Sequence, residues 1–245
     1  MTFCLVDQLP PYKILSLGDG AIIVDFGNCI DTLINKLVHA VFYRLQNKPI
    51  PGMIEAVPAY CSITIYYDVL HIRNKLSKEI TAFDWMSDKI KEYLFLEKNE
   101  VEAEEPQINI PVCYEKEYGP DLDFVALKND ISIEEIVQRH MAITYRVYML
   151  GFLPGFAYMG LIDEKIVSPR KQYPAPVEAG SVGIAGKQTG IYPFNSPGGW
   201  QIIGRTPLNL FDRKKPNPVL FKAGDNVKFY SITKDEFEDI KDRNA

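Results

Sequence analysis

The sequence has 245 residues, of which 47% are hydrophobic and 24% are charged, and its formal net charge at pH 7 is −5. This composition is ordinary for a globular protein and supports one large domain or two smaller ones. A negative net charge without a cluster of Lys and Arg argues against a nucleic-acid partner, because phosphate binding needs clustered cations. Since the N-terminus lacks a signal-peptide pattern and no apolar run approaches membrane-spanning length, we expect a cytoplasmic protein with no membrane contact.

The first hundred residues predict alternating strands and helices. Two apolar runs flank Gly18-Asp19-Gly20, which is typical of a β-hairpin. Residues 31–46 carry apolar side chains at helical spacing, and residues 53–68 resemble a strand that breaks at Pro58. A second helix is predicted from Asp84, as its N-cap, through Leu96. The order β-β-α-β-α predicts a sheet with helices on one face.

A charged run, EKNEVEAEEP at residues 97–106, separates two halves with different sequence patterns. A run of this kind that ends in Pro is more simply a solvated linker than an acidic binding site. We therefore predict one domain over residues 1–105 and a second over residues 106–245.

In the second half, Ser132 and Glu135 fit a capping box that opens a short helix. Ten of the sixteen glycines then fall between Gly151 and Gly204, a density that indicates tight turns and predicts a small β-barrel. The last residues, TKDEFEDIKDRNA, predict a short surface helix that frays.

Several patterns for covalent or metal chemistry are absent or incomplete. Five residues separate Gly180 from Gly186, and Gln188 follows Lys187 where a P-loop has Ser or Thr. Neither Ser181 nor Ser196 lies in a GxSxG nucleophile elbow. The four cysteines, at positions 4, 29, 61 and 113, form no CxxC pair or Cys/His cluster, so we expect reduced thiols and no metal site.

His140 ends the predicted short helix just before the strand that leads into GFLPGF, and two interpretations of it stay open. One is a proton-transfer or anion-binding role. The other, which the spacing alone favours, is a histidine that interacts with the dipole at the helix C-terminus.

The remaining polar candidates are grouped around the glycine-rich segments. Arg170 follows Ser168-Pro169, and an arginine on a stiffened backbone suits bidentate capture of a carboxylate or phosphate, although a surface salt bridge is equally compatible with the sequence. Amide and hydroxyl groups flank Gly190, and the segment SPGGW pairs backbone N–H groups with an aromatic side chain. Taken singly, each of the residues in these segments is more simply a barrel corner or a core residue than part of a ligand site. For the whole cluster, the structural interpretation and the ligand-site interpretation are nearly balanced. These residues are Gln188, Thr189, Tyr192, Gly198, Gly199 and Trp200.

The apolar stretch GFLPGFAYMGLID, residues 151–163, is too rich in Gly and Pro for a helix. We predict that it is a strand end and bend beneath a pocket, with Phe152, Phe156 and Tyr158 as wall or core.

Five segments occur in an order that points to a known family. On these segments the chain resembles the allophanate hydrolase subunit 1 family, which includes the PxpB component of bacterial 5-oxoprolinases and the kinase inhibitor KipI. The resemblance is densest from Gly119 to Phe229 and extends more weakly into the N-terminal half. The segments are GPDLDFVA, HMAITYRVYMLGFLPGFAYMG, SPR, AGSVGIAGKQTGIYPFNSPGGWQIIGRTP and LFKAGDNVKF.

The resemblance implies an α+β chain, with an N-terminal ferredoxin-like α/β sandwich followed by a C-terminal cyclophilin-like β-barrel domain. It also implies partners. Members pair with an allophanate hydrolase subunit 2-type protein (PxpC-like), and in 5-oxoprolinase a LamB/YcsF-type protein (PxpA-like) joins them. The implied reaction is hydrolysis of the 5-oxoproline lactam to glutamate, with ATP as co-substrate of the complex.

A lactam is a poor electrophile, and phosphorylation of its carbonyl oxygen makes attack by water feasible, so such a site needs anion-stabilising donors more than a nucleophile. Under this hypothesis, the catalytic residues either stabilise anions or orient the amide. The anion-stabilising candidates are Arg170, His140 and the backbone N–H groups of Gly198 and Gly199, and the orienting residues are Gln188 and Tyr192. The substrate-binding residues are Ser181, Thr189, Gly198, Gly199 and Trp200.

One departure from the family pattern lies in the segment YPAPVEAGSV, where members often carry a second basic residue. Here the segment holds Ala175 and Glu178. The loss of a positive charge and the gain of a negative one predict weaker anion binding at the edge of the predicted pocket, or a different surface for partner binding.

The alternative function is that of a KipI-like inhibitor that docks on a sensor histidine kinase, which needs a surface rather than a pocket. We favour a role in an enzyme complex, since the polar candidates lie in glycine-rich segments rather than on one helical face. An isomerase, by analogy with the cyclophilin-like fold, rests on fold alone and is a weak inference.

Overall fold

A computed structural model describes residues 9–77, 79–94 and 107–243 of the chain. The chain divides into two compact units, Met1–Glu104 and Glu105–Ala245. The predicted linker at residues 97–106 lies outside the described residues, so the domain boundary between residues 105 and 106 stays a prediction.

The first unit contains a four-stranded sheet with helices packed against one face. The strands lie in the order β1-β2-β4-β3, and every neighbouring pair is antiparallel. The elements are β1 (Lys13–Ser16), β2 (Ala21–Asp25), α1 (Thr32–Asn47), β3 (Met53–Pro58), β4 (Ser62–Tyr67), α2 (Val69–Arg73) and α3 (Ala82–Leu94).

Two local predictions for this unit are corrected by the structure. Residues 53–68 form two paired strands rather than one broken strand, because the chain turns after Pro58 and the Ala59 N–H bonds to the Ser62 carbonyl at 2.8 Å. Helix α3 begins two residues before Asp84, because Thr81 occupies the capping position. The Thr81 hydroxyl oxygen accepts a hydrogen bond from the Asp84 N–H at 3.0 Å, and the hydroxyl donates to the Asp84 carboxylate at 2.6 Å.

The resulting order of the described elements is β-β-α-β-β-α-α. A ferredoxin-like sandwich has the order β-α-β-β-α-β. The ferredoxin-like prediction for the first unit is therefore not confirmed.

The second unit is a mixed α/β unit built on a seven-stranded sheet. The strand order is β12-β9-β10-β7-β6-β13-β5, in which the β13–β5 pair is parallel and the other pairs are antiparallel. A separate two-stranded sheet pairs β11 with β8. The elements are β5 (Gln107–Val112), α4 (Leu122–Asn129), α5 (Ile133–Ala142), β6 (Thr144–Leu150), β7 (Ala157–Gly160), a 3₁₀ turn (Glu164–Ile166), β8 (Ala175–Val177), β9 (Ser181–Ala185), β10 (Gln188–Ile191), β11 (Ser196–Gly198), β12 (Gln201–Arg205), β13 (Asn226–Ser231) and α6 (Lys234–Arg243).

The two edges of the seven-stranded sheet meet at one residue pair. Cys113, just after β5, and Arg205, at the end of β12, exchange two backbone hydrogen bonds of 2.8 and 3.0 Å. The sheet is therefore nearly closed, which leaves few unpaired backbone groups at its edges. This barrel-like sheet fits the predicted cyclophilin-like fold.

Helices cover the barrel-like sheet at three places. Ser132 caps α5 as predicted, since its hydroxyl oxygen accepts a hydrogen bond from the Glu135 N–H at 3.1 Å. The predicted C-terminal helix is present as α6 (Lys234–Arg243), where Phe237 is buried and its ring lies 4.5 Å from the ring of Tyr118, while fraying of its end stays a prediction. Helix α4 is an element that the sequence patterns did not predict.

No helix among the described residues is long and apolar enough to cross a membrane.

Candidate functional site

A cavity of about 200 Å³ lies on the second unit, where the β6–β7 loop meets the segments around β8 and β11. Its lining combines aromatic rings, two prolines, two glycines and one arginine. Ligand sites in proteins are typically concave, mostly apolar and equipped with a few placed polar groups. The lining residues are Phe152, Phe156, Tyr158, Arg170, Pro174, Tyr192, Pro197, Gly198, Gly199 and Trp200.

Phe156 is the centre of the aromatic wall of this cavity. Its ring makes edge-to-face contacts with Tyr158, Tyr192 and Trp200, at centroid distances of 4.8, 5.2 and 5.5 Å. Phe156, Tyr192 and Trp200 are all buried. Edge-to-face packing fixes the orientation of such rings, so the wall is preformed.

Glycine is required beneath this wall at position 190. A Cβ atom added there would lie 2.9 Å from the Ala157 carbonyl oxygen and 3.1 Å from ring atoms of both Phe156 and Trp200. The absence of a side chain at Gly190 therefore lets the indole and the phenyl ring pack directly on β10.

Arg170 is held at the cavity by hydrogen bonds on both of its neighbours. The Gln201 side-chain amide donates to the Pro169 carbonyl at 2.9 Å, and the Lys171 N–H donates to the Gly199 carbonyl at 2.7 Å. The backbone of residues 169–171 is thus fixed to residues 199–201, the segment that carries Trp200 and leads into β12. The Cα atom of Arg170 therefore has a fixed position, while the side chain that carries the guanidinium is exposed.

An ion pair strengthens the same attachment. The Lys171 ammonium lies 2.6 Å from the Asp121 carboxylate, and both side chains are about four-fifths buried. The Asp121 carboxylate also accepts a hydrogen bond from the Ile202 N–H at 2.6 Å. Asp121 therefore links the Arg170 segment to β12 at a site that is partly shielded from water.

The charge of Arg170 acts on two hydroxyl groups of the wall. Burial raises the pKa of Tyr192, while a hydrogen bond from the Trp200 backbone and the nearby Arg170 charge oppose the rise. Burial also raises the pKa of Tyr158, again opposed by Arg170. Both phenols are therefore neutral donors at pH 7. Within the described part of the chain, Arg170 forms no ion pair or side-chain hydrogen bond, so its guanidinium is available to an anion.

His140 does not line the cavity, and it is fully buried in the interior of the barrel-like sheet. The Tyr114 hydroxyl lies 2.8 Å from its Nδ1 atom, and the Thr189 hydroxyl lies 3.0 Å from its Nε2 atom. Since the Thr189 hydroxyl donates to the Gly183 carbonyl at 3.1 Å, it accepts from Nε2–H, which leaves Nδ1 to accept from Tyr114. Burial lowers the pKa of His140 to about 3, so the ring is neutral. A neutral ring also lacks the charge that the helix-dipole interpretation requires.

Three further residues of the predicted site lie away from the lining of the cavity. Thr189 is buried in the hydrogen-bond chain of His140. Ser181 is buried in β9, where its backbone carbonyl accepts from the Tyr192 N–H at 2.9 Å. Gln188 begins β10 opposite Ala185 and is half-buried. The structure therefore brings together the predicted residues Arg170, Tyr192, Gly198, Gly199 and Trp200, and does not bring the other four to this surface.

The lining also contains five residues that were not among the predicted catalytic and substrate-binding residues. Phe152, Phe156 and Tyr158, predicted as wall or core, line the cavity, and Pro174 and Pro197 complete the rim. Prolines that flank a glycine-rich segment are the signal that could have located this rim, since they fix φ and carry no backbone N–H.

The acidic departure at Glu178 does not lie at this cavity. Its carboxylate pairs with the Arg205 guanidinium, and the Arg205 Nε–H donates to the Ala179 carbonyl at 2.8 Å. The negative charge is thus neutralised locally. Ala175 lies opposite Gly198 in the β8–β11 pair and adds no charge beside Arg170. Within the described ranges, no group of three or more His, Cys, Asp or Glu residues could hold a metal ion.

The family model of the carboxyltransferase domain, subdomain C and D, matches residues 12–221. The chain belongs to this family. It is 42% identical over 233 residues to the 5-oxoprolinase B subunit of Bacillus subtilis (strain 168), covering 94% of this chain and 97% of the relative. It is 36% identical over 214 residues to the 5-oxoprolinase B subunit of Escherichia coli O157:H7, covering 87% and 93%. The family resemblance inferred from the sequence motifs is thereby confirmed.

A solved structure shares the fold of this chain. The crystal structure of TTHA0988 superposes with a TM-score of 0.72 at 32% identity, over 86% of this chain. The matched region is 40% of TTHA0988, so this chain corresponds to only part of that longer protein.

Proposed function

We propose that this chain is the B-type component of an ATP-dependent 5-oxoprolinase, which opens the lactam of 5-oxoproline to give glutamate. The near-full-length similarity to the B subunits of two bacterial 5-oxoprolinases supports the proposal. The observation that carries it is the Arg170 guanidinium, which no described side chain pairs, beside a preformed aromatic cavity of about 200 Å³.

The chemistry of 5-oxoproline matches this lining. The substrate is a small, nearly planar ring with one carboxylate and one amide. Arg170 binds the carboxylate, because a guanidinium fits a carboxylate with two parallel hydrogen bonds. Trp200 and Tyr158 cover the ring, since aromatic side chains give large contact areas with few rotamers. The neutral Tyr192 hydroxyl donates to the lactam carbonyl, and the backbone N–H groups of Gly198 and Gly199 are the further proposed donors.

The reaction needs ATP because amide resonance makes the lactam carbonyl a poor electrophile. Transfer of the γ-phosphoryl group to the carbonyl oxygen releases ADP, and attack of water at the carbon with departure of the ring nitrogen as an amine gives γ-glutamyl phosphate. A second water then hydrolyses this acyl phosphate to glutamate and phosphate. A nucleoside triphosphate is much larger than 5-oxoproline. Pockets for drug-sized ligands usually have volumes of about 300–1,000 Å³, whereas this cavity has about 200 Å³. We therefore propose that ATP binds elsewhere in the complex.

The proposed complex contains an allophanate hydrolase subunit 2-type protein and a LamB/YcsF-type protein, with this chain contributing the lactam-binding cavity. His140, Gln188, Ser181 and Thr189 are left out of direct substrate contact in this proposal. The KipI-like inhibitor alternative stays a prediction, since it needs an exposed docking surface for which the cavity provides no argument.

An omission experiment tests the proposed function. The three purified proteins are combined with ATP and 5-oxoproline, and glutamate is measured with and without this chain. We expect glutamate release to require this chain. Equal release in its absence would refute the proposal, and binding to a histidine-kinase dimerisation domain instead would favour the inhibitor.

A further inference from the structure

Phe152 has a strained backbone at the cavity. Its φ is +69°, in the left-handed region, and the Leu153 N–H donates to the Gly151 carbonyl across it at 2.9 Å. A hydrogen bond between residues two apart, with a positive φ between them, defines the rarer and more strained form of the γ-turn. For a bulky side chain this conformation is a genuine outlier. Strain of this kind concentrates at functional sites.

The loop around Phe152 holds this conformation by its own hydrogen bonds. The Phe156 N–H donates to the Leu153 carbonyl at 3.0 Å, and the Gly151 N–H donates to the Phe156 carbonyl at 3.2 Å. Glycine, which adopts positive φ without cost, is present at 151 and 155 but not at 152. A phenylalanine therefore stands where glycine would relieve the strain.

Core packing does not account for this phenylalanine. Its side chain is 63% exposed, and the aromatic contact that it makes is an edge-to-face one with Phe156 at 5.7 Å. The ring nevertheless lines the cavity, together with Arg170, as the exposed part of a lining whose deeper wall is buried. Because this apolar ring is exposed to water, burying it under a bound ligand would contribute favourable free energy to binding.

We propose that Phe152 is a specificity-determining residue that covers one apolar face of a small planar carboxylate bound to Arg170. The γ-turn fixes the backbone that carries the ring at the rim, so the backbone needs no ordering when the ligand binds. The inference rests on the proposed function in so far as it takes 5-oxoproline as the ligand. It extends that function by assigning selection for planar rings to a residue that the sequence predicted only as pocket wall or core.

Ligand binding by the full chain tests the inference without requiring turnover. In a Trp85→Phe background, Trp200 is the remaining tryptophan and its fluorescence reports on the cavity. The chain is titrated with 5-oxoproline and with benzoate as a planar carboxylate probe. We expect Phe152→Ala and Phe152→Gly to raise the Kd of both probes about tenfold, since one face of the ligand becomes exposed. Phe152→Tyr should stay within about twofold of the parent, because it keeps the ring.

Two controls separate recognition from folding. Phe152→Gly relieves the backbone strain, so its Tm should equal or exceed that of the parent. Phe124→Ala removes a phenylalanine that is also exposed but lies on α4, and it should leave both Kd values unchanged. An unchanged Kd in Phe152→Gly, or a parent chain that binds neither probe, would overturn the inference. A complex that releases no glutamate, while binding still depends on Phe152, would refute the proposed reaction alone.

Discussion

Gly198 packs directly against the phenol of Tyr192. A Cβ atom added at residue 198 would lie 2.6 Å from the Tyr192 hydroxyl oxygen and 2.8 Å from two of its ring carbons. Because the phenol is buried against Phe156, it has little room to move aside. The hydroxyl that we propose as a donor to the lactam is thus positioned by the absence of a side chain at residue 198 in β11.

This contact predicts that Gly198→Ala destabilises the chain by about 1–3 kcal/mol, as overpacking of a fixed core does. Gly199→Ala is the matched control for stability, because an added Cβ atom there meets nothing within 4 Å. Its unfolding free energy should lie within about 0.5 kcal/mol of wild type. Urea unfolding of both variants checks the prediction, and equal losses in the two would contradict the packing argument.

The ion pair beneath Arg170 gives a second prediction. Asp121→Ala removes a carboxylate that accepts from both Lys171 and the Ile202 N–H, so we expect a loss of about 1–3 kcal/mol in the free energy of unfolding. Asp123→Ala is the control, because the Lys116–Asp123 pair is mostly exposed and should contribute less than about 1 kcal/mol. Thermal and urea unfolding measure both variants. A larger loss in Asp123→Ala would show that this attachment is not the stabilising one.

His140 predicts a specific dependence of stability on pH. Its pKa is lowered to about 3 in the folded chain, so below pH 6.5 the unfolded chain binds a proton that the folded chain does not. Stability therefore falls as the pH falls through this window, by about 2 kcal/mol from this group between pH 7 and pH 5. The difference in unfolding free energy between wild type and His140→Gln should shrink by this amount over the same interval.

A second measurement covers the case in which His140→Gln does not fold. The ring-proton NMR signals of His140 in the wild-type chain should not titrate between pH 8 and pH 5. Tyr114 and Tyr145, which contact this ring, stay neutral throughout, because burial raises the pKa of both. A His140 signal that titrates near pH 6.5 would contradict the buried, neutral assignment.

Sequence patterns predicted which segments form the candidate site, but they did not predict which side chains of those segments point toward the cavity. Arg170 and Trp200 were accessible to prediction because proline and glycine neighbours mark them as parts of turns. Thr189 has similar neighbours, but alternation along β10 turns its side chain into the barrel. Only the closed sheet decides which face of such a strand is the interior.

Long-range pairs were beyond the reach of local patterns. Asp121 and Lys171 are fifty positions apart, and Cys113 meets Arg205 only because the barrel closes. The strain at Phe152 is likewise invisible in a sequence, since GFLPGF offers two glycines as more natural places for a positive φ. Such contacts depend on the tertiary fold rather than on spacing.

Arg170 permits the most direct test of the central claim, that this cavity binds the lactam substrate of a 5-oxoprolinase. Glutamate release from 5-oxoproline, in the presence of ATP and the partner proteins, is measured for complexes that contain wild type, Arg170→Ala, Arg170→Lys or Arg213→Ala. Arg213 is the matched control, because it is exposed and does not line the cavity.

We predict that Arg170→Ala lowers kcat/KM about 10–100-fold, as the loss of a charged, paired hydrogen bond does. Arg170→Lys should restore part of this loss, and Arg213→Ala should match wild type. A complex with Arg170→Ala that releases glutamate with the wild-type kcat/KM would contradict the claim.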